Sequence, residues 1–238
     1  MRTHSIVIGI SALLLAIGIA SAGLFISLTL RNSQVNTAEV KGLAERKVIA
    51  NKAYWNISYT VSGDSKAELP EMYARSETDY QRIVKLLKEN GFDDGEIIPG
   101  IVDYRHQEHR NDDQELVEEK HYLVGHVGVR TGQVALVPKV RVQLNRLIAE
   151  GLDIGNNTPM YYFTGLNQIK PEMLKEATMN ARIAANEFAA NAGVQVGGIR
   201  SARQGGFVIR DEGEDYGDTA KIRKDVRVVT NITFFLTD

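Results

Sequence analysis

Between Leu166 and Gly193 the chain reads LNQIKPEMLKEATMNARIAANEFAANAG, a long helical stretch in which alanine recurs and almost nothing reactive appears. From about Pro171 to Ala192, the residues Leu174, Ala177, Ala181, Ala184, Phe188 and Ala192 fall on one stripe, while Lys175, Arg182, Asn186 and Glu187 face away. A stripe of alanine lets a helix backbone lie close on a sheet or on another helix. The segment is therefore read as a packing element, with Ala177, Ala181 and Phe188 turned inward and Gly193 at its end.

The surface for it to pack on is written elsewhere in the chain. In AYWNISYTV, Trp55, Ile57, Tyr59 and Val61 share one face and Asn56, Ser58 and Thr60 the other, the period-two pattern of a half-buried strand. The preceding AEVKG reads as a short strand. Leu69, Met72, Tyr73, Tyr80, Ile83, Val84 and Leu87 then recur at helical spacing until Asn90-Gly91. Ser65 and Glu68 have capping-box spacing, but Pro70 would then fall inside the helix, so its start is placed nearer Leu69. Strands around EIIPGIVDYR and HYLVGHVGVR follow, separated by the polar run HQEHRNDDQELVEEK. A helix over Pro138 to Glu150 turns Val140, Leu144, Leu147 and Ile148 inward and ends at Gly151. After a short strand in MYYFTG comes the alanine helix. VGGIRSARQGGFVI and DVRVVTNITFFL close the chain as strands, the second alternating Val226, Val228, Ile232, Phe234 and Leu236. Helices separated by paired strands with polar turns predict an α+β fold of two βαββ-type halves, 38–133 and 134–238, with helices packed on largely antiparallel sheet.

Ahead of that domain, Ser5 to Leu30 carries no charge until Arg31. As a helix it would run ~39 Å at about 1.5 Å per residue, more than the ~30 Å hydrocarbon core of a bilayer. Ala20-Ser21-Ala22 offers a leader-type cleavage site, yet the apolar run continues through Leu24, Phe25, Ile26 and Leu28, longer than a cleaved leader needs. Residues 1–30 are read as an uncleaved transmembrane signal-anchor and 31–37 as a polar tether, leaving 38–238 as an exported domain. The Lys and Arg counts at the two ends do not set the orientation; the short N-terminal tail does. Ala12, Ala16 and Ala20 lie four apart, a small-residue seam through which anchors could approach, although leader segments are commonly alanine-rich.

Composition removes whole classes of chemistry. No cysteine is present, which excludes disulfides, thiol nucleophiles, cysteine-ligated zinc, iron–sulfur clusters and a lipoprotein anchor. With 28 Lys+Arg against 30 Asp+Glu there is no basic field to hold a phosphate backbone, so no nucleic-acid partner is expected. His106 and His109, near Asp103, Glu108, Asp112 and Asp113, are the nearest approach to a metal cluster, but they sit where strand runs into polar loop, and zinc needs convergent ligands. His121 and His126, five apart, point to opposite faces of a strand. The acidic segment Asp211, Glu212, Glu214, Asp215 and Asp218 lacks the ordered calcium-loop series and reads as a solvated loop. Gly197-Gly198 and Gly205-Gly206 match no phosphate-binding loop and read as bulges or bends. No catalytic, cofactor or metal residue is assigned, no cofactor is expected, and no enzyme is required.

VKGLAERKVIANKAYWNISYTVSGD, PMYYFTGLNQIKPEMLKEATMNARIAANEFAANAG, GGIRSARQGGFVI and VRVVTNITFFL together resemble the SIMPL-domain family, over about the whole chain after the anchor. Where family members often have Asp-Ser before the glycine, this chain has Asn191-Ala192, a change at a helix end. The resemblance implies an exported or periplasmic α+β protein, linked in some members to oxidative-stress defence and in some to ring-like homo-oligomers, with no catalytic set to carry over. The expectation is thus a non-enzymatic protein of the bacterial inner membrane, its main domain in the periplasm, assembling with itself. Trp55, Ala177, Ala181, Phe188 and Gly193 serve the fold in that reading, and Ala12, Ala16 and Ala20 the anchor contacts. The alternatives are an envelope enzyme or metal-binding protein using the His106/His109 region, and a periplasmic ligand- or partner-binding module with the cleft between the two halves as its site.

Overall fold

The computed structural model describes residues 15–27, 36–155 and 157–237. Helix α1 covers residues 15–27. At about 1.5 Å per residue that length falls short of a ~30 Å hydrocarbon core, and among the described residues no helix is long and apolar enough to cross a membrane. The rest of the Ser5–Leu30 segment, Ala12 included, lies outside the described residues, while Ala16 and Ala20 are exposed on α1.

From Thr37 onward the order is β1 (Thr37–Ile49), β2 (Lys52–Gly63), α2 (Leu69–Glu89), β3 (Ile97–Pro99), β4 (Asp103–Arg110), β5 (Leu116–Thr131), α3 (Val137–Ala149), β6 (Asp153–Gly155), β7 (Met160–Tyr162), α4 (Leu166–Ala192), β8 (Gln195–Gln204), β9 (Val208–Asp211) and β10 (Arg223–Thr237). The α+β class and the antiparallel pairing follow the sequence reading. Two compact units are formed, one from Met1–Ala44, Leu174–Gly206 and Val229–Asp238, the other from Glu45–Met173 and Phe207–Val228.

The larger unit is built on a sheet ordered β3-β5-β2-β6, with β4 also pairing β5 and β7 pairing β2. Long β2 and β5 pair antiparallel, setting Trp55 opposite Val129, Ile57 opposite Val127 and Val61 opposite Leu123. Period two therefore puts all of these on one face; Ile83, Leu86 and Leu87 of α2 and Val137, Val140, Leu144 and Leu147 of α3 pack with Trp55, Ile57, Val127 and Val129, and Met72 of α2 packs with Val61 and Leu123. Each such side chain contributes about 1.5–3 kcal/mol by leaving water. Tyr73 and Ile148, expected inward from periodicity, are exposed. The Trp55 indole Nε1 donates to the Asn157 carbonyl at 3.2 Å, so the core keeps no orphaned donor there. Ser65 caps a 3₁₀ turn by accepting from the Ala67 amide, and α2 starts at Leu69 with Pro70 in its first turn, where its missing N–H costs nothing.

In the smaller unit β10 lies between β1 and β8, and Val40, Ile232 and Phe234 pack against Ala181 and Ala185 of α4. The inward stripe of α4 is Met173, Ala177, Ala181, Ala185 and Ala189, all buried. Phe188 is not part of it: 64% of its surface is exposed, Ala192 is also exposed, and Leu174 and Ala184 are only half-buried. The reason is the closeness of the approach. A Cβ at Gly42 would stand 1.8 Å from the Ala177 carbonyl oxygen and 2.8 Å from the Ala181 Cβ, so strand and helix meet almost backbone to backbone and leave no room for a phenyl ring. Gly193 takes φ +71° and ends α4 with the paired bonds Val194 N to Ala189 O and Gly193 N to Ala190 O.

Candidate functional site

Most of the polar run after Arg105 is strand, with only residues 111–115 forming the turn between β4 and β5. β4 continues to Arg110 and forms a long antiparallel hairpin with β5, in a register that sets His106 opposite His121, Glu108 opposite Glu119 and His109 opposite Glu118. Three-residue spacing on a strand sends His106 and His109 to opposite faces, so these two neighbours in sequence do not form a pair. Cross-strand neighbours replace it. On the face that continues the helix-covered core past Val61, Met72 and Leu123 stand Tyr104 and His106 from β4 and Glu119 and His121 from β5.

His121 is 1% exposed. Its ring stacks on His106, centroids 4.8 Å apart at 11°, and on Tyr104, 5.9 Å apart at 11°. Its Nδ1 shares a 2.7 Å hydrogen bond with the Tyr104 hydroxyl. Its Nε2 lies 2.6 Å from Glu119 Oε1, yet without hydrogen-bond alignment, so this buried nitrogen has a charged neighbour but no aligned partner. His106 Nε2 approaches the same Glu119 oxygen at 3.1 Å. Glu108, 4.0 Å from His106, is engaged by Arg110 at 2.7 Å; that hydrogen bond first, and the guanidinium charge second, hold its carboxyl below the usual range. Ligand atoms of His106, Glu119 and His121 all lie within 4.8 Å of one another. His126 points to the other face, as its five-residue offset from His121 predicts, with Asn56 and Asp103 as neighbours.

A second polar centre lies in the segment read as a solvated acidic loop. Asp211 ends β9 and is buried, and its carboxylate receives the fully buried Lys224 ammonium and the backbone amides of Ala220 at 2.8 Å and Lys221 at 3.0 Å. The Asp218 carbonyl accepts from the same ammonium at 2.7 Å. Burial works to raise the Asp211 pKa; the Lys224 hydrogen bond, the two amides and the Lys224 charge outweigh it and hold the carboxyl below its ordinary value. The loop folds around a cation after all, and the cation is its own lysine. Because Lys224 stands beside Lys221 and Arg223 and reads as one of several basic residues, nothing in the sequence singles it out.

Of the residues expected to serve the fold, Trp55, Ala177 and Ala181 are buried, Gly193 caps α4, and Phe188 faces outward. Two edges are open in the smaller unit's sheet: among the described residues, β1 pairs only β10, and so does β8. β8 is exposed or half-exposed along its whole length. Gly197 and Gly198 together oppose the single Phe235 between the Phe234–Ile199 and Leu236–Val196 pairs, a bulge as the sequence suggests. A groove of about 500 Å³ lined by Ser62, Arg75, Thr78, Asp79 and Asp153 is polar, not the large apolar pocket of a small-molecule binder.

Helix-backed antiparallel sheets, with a cluster of Tyr104, His106 and Glu119 around the buried His121, define an α+β domain whose site residues sit on strands. Residues 38–233 match the SIMPL family model, described as a protein of unknown function (DUF541), and the chain belongs to that family. No curated protein matches the chain.

Proposed function

We propose that the chain is a non-enzymatic, membrane-anchored envelope protein whose SIMPL domain assembles with copies of itself. The observation that carries the assembly is the pair of open edges on one sheet. An edge strand presents unpaired N–H and C=O groups and invites another strand. β8 and β1 are different edges, so pairing β8 of one copy with β1 of the next is head-to-tail, and a head-to-tail contact closes into a ring when its rotation permits. Exposed Met179 and Ile183, one turn apart on α4, add apolar surface to the same unit.

The anchor rests on the length of the uncharged Ser5–Leu30 run and the placement in the bacterial inner membrane on the short tail before it. A role in stress defence rests on the family resemblance alone. Light scattering on the detergent-solubilised full chain, with intact mass of the denatured chain, tests both parts. Multi-subunit particles of uncleaved chains are expected, with an Ile199→Lys change on β8 reducing particle mass at unchanged melting temperature. A monomer beginning at Gly23 would sink the reading.

A further inference from the structure

We propose that His106, Glu119 and His121 form a binding site for a divalent transition-metal ion of the zinc type, with Tyr104 as the outer partner that orients His121. The site is independent of the assembly reading, since it lies on the hairpin of the larger unit and uses neither sheet edge.

The argument begins at the His121 ring. With Nδ1 tied to the Tyr104 hydroxyl and the ring stacked on His106, the imidazole is fixed in orientation, and its Nε2 is held 2.6 Å from a carboxylate oxygen in a place that water does not reach. If the phenol oxygen accepts from Nδ1–H, Nε2 bears a lone pair, and a lone pair facing a carboxylate oxygen at that distance is repulsive unless the two share a proton or a metal ion. If Nε2 carries the proton instead, the N–H is poorly aligned on Glu119 and is left without a partner. A metal ion removes both difficulties. It binds neutral Nε2, leaves Nδ1–H to donate to Tyr104, and takes the Glu119 carboxylate as its anionic ligand, the arrangement in which outer hydrogen bonds fix the ligating tautomer.

Donor type and spacing agree. Two imidazoles and one carboxylate suit zinc and its neighbours rather than calcium or magnesium, which prefer oxygen. With bonds of about 2.0–2.1 Å, tetrahedral ligand atoms stand roughly 3.3 Å apart. Glu119 Oε1 stands 2.6 Å from His121 Nε2 and 3.1 Å from His106 Nε2, and the three ligand atoms lie within 4.8 Å of one another, so the set closes when the half-exposed Glu119 side chain draws back from His121 and His106 swings inward. Those two side chains are 35% and 34% exposed, which leaves the fourth position open on the solvent side for water or a further ligand. Neither Lys nor Arg forms an ion pair with Glu119 among the described residues; the groups within ion-pair distance of it are the two imidazoles.

The test uses the full, tag-free chain, stripped with a chelator and titrated with zinc and cobalt(II). One metal per chain, a cobalt spectrum of tetrahedral type and a rise in melting temperature with zinc are expected. His106→Ala and Glu119→Gln, both at partly exposed positions, should retain the apo melting temperature and lose the metal. Tyr104→Phe should weaken binding about 10–100-fold, as loss of an outer partner does. His109→Ala, on the opposite face, should bind as the parent does. Absence of stoichiometric metal in the parent, unchanged binding in His106→Ala and Glu119→Gln, or equal loss in His109→Ala each overturns the site. Metal-free chains that still form rings would leave the assembly reading standing while removing this one.

Discussion

At the scale of single residues, the structure separates side chains that look alike in the sequence. Asp211 is one acidic residue in a run of them, yet it alone is buried against Lys224. Asp211→Asn leaves that ammonium buried and uncompensated, and should cost about 3–5 kcal/mol, with Lys224→Met added to it restoring part of the loss. The pH dependence has a definite sign. The folded pKa lies below the ordinary 3.8, so the stabilisation is fully present above that value and fades as pH falls through the folded pKa. Thermal unfolding of parent and variant should therefore differ by a constant amount near neutrality and converge under acid. Gly42 makes a complementary case: the methyl of Gly42→Ala would meet the Ala177 carbonyl, and urea melts should show destabilisation of about 1–3 kcal/mol.

Elements show where periodicity is a good guide and where it fails. β2 and β10 alternate so cleanly that their buried faces are largely legible from residue order alone: Val226, Val228, Ile232 and Phe234 are all buried, and Leu236, near the strand's end, is half-buried. α4 reads as a packing helix and is one, but periodicity draws its stripe through Phe188 because a bulky apolar residue reads as a core residue. The close approach at Gly42 selects for smallness instead, and the buried positions step strictly by four from Met173 to Ala189. Ala181→Leu should accordingly lose about 1–3 kcal/mol in chemical denaturation, while Phe188→Ser, at an exposed position, should change stability by no more than about 0.5 kcal/mol. The reverse ranking would restore Phe188 to the core. The hairpin of β4 and β5 departs furthest from its residue pattern. Its polar composition reads as loop, and only pairing along the full length of β4 shows otherwise.

For the whole molecule, the assembly reading and the anchor reading make separable predictions. Alkaline extraction should leave the full chain with the membrane, whereas release of a chain starting at Gly23 would mark a cleaved leader. A chain lacking residues 1–37 should still associate as its concentration is raised if the open edges of β1 and β8 carry the contact. Association lost with that segment would move the contact to the seam of Ala12, Ala16 and Ala20.

The α+β class, the places of the helices and main strands, the helix stops at Asn90-Gly91 and Gly193, and the SIMPL family were all determined by the sequence, because each depends on local periodicity, on a cap, or on a motif that is contiguous in the chain. The partner of His106, the cation of Asp211 and the outward turn of Phe188 were decided by the tertiary structure. Each depends on which residue a register or a close backbone approach sets opposite another, and strand pairing is chosen by the burial of whole faces rather than by the few polar residues it brings together.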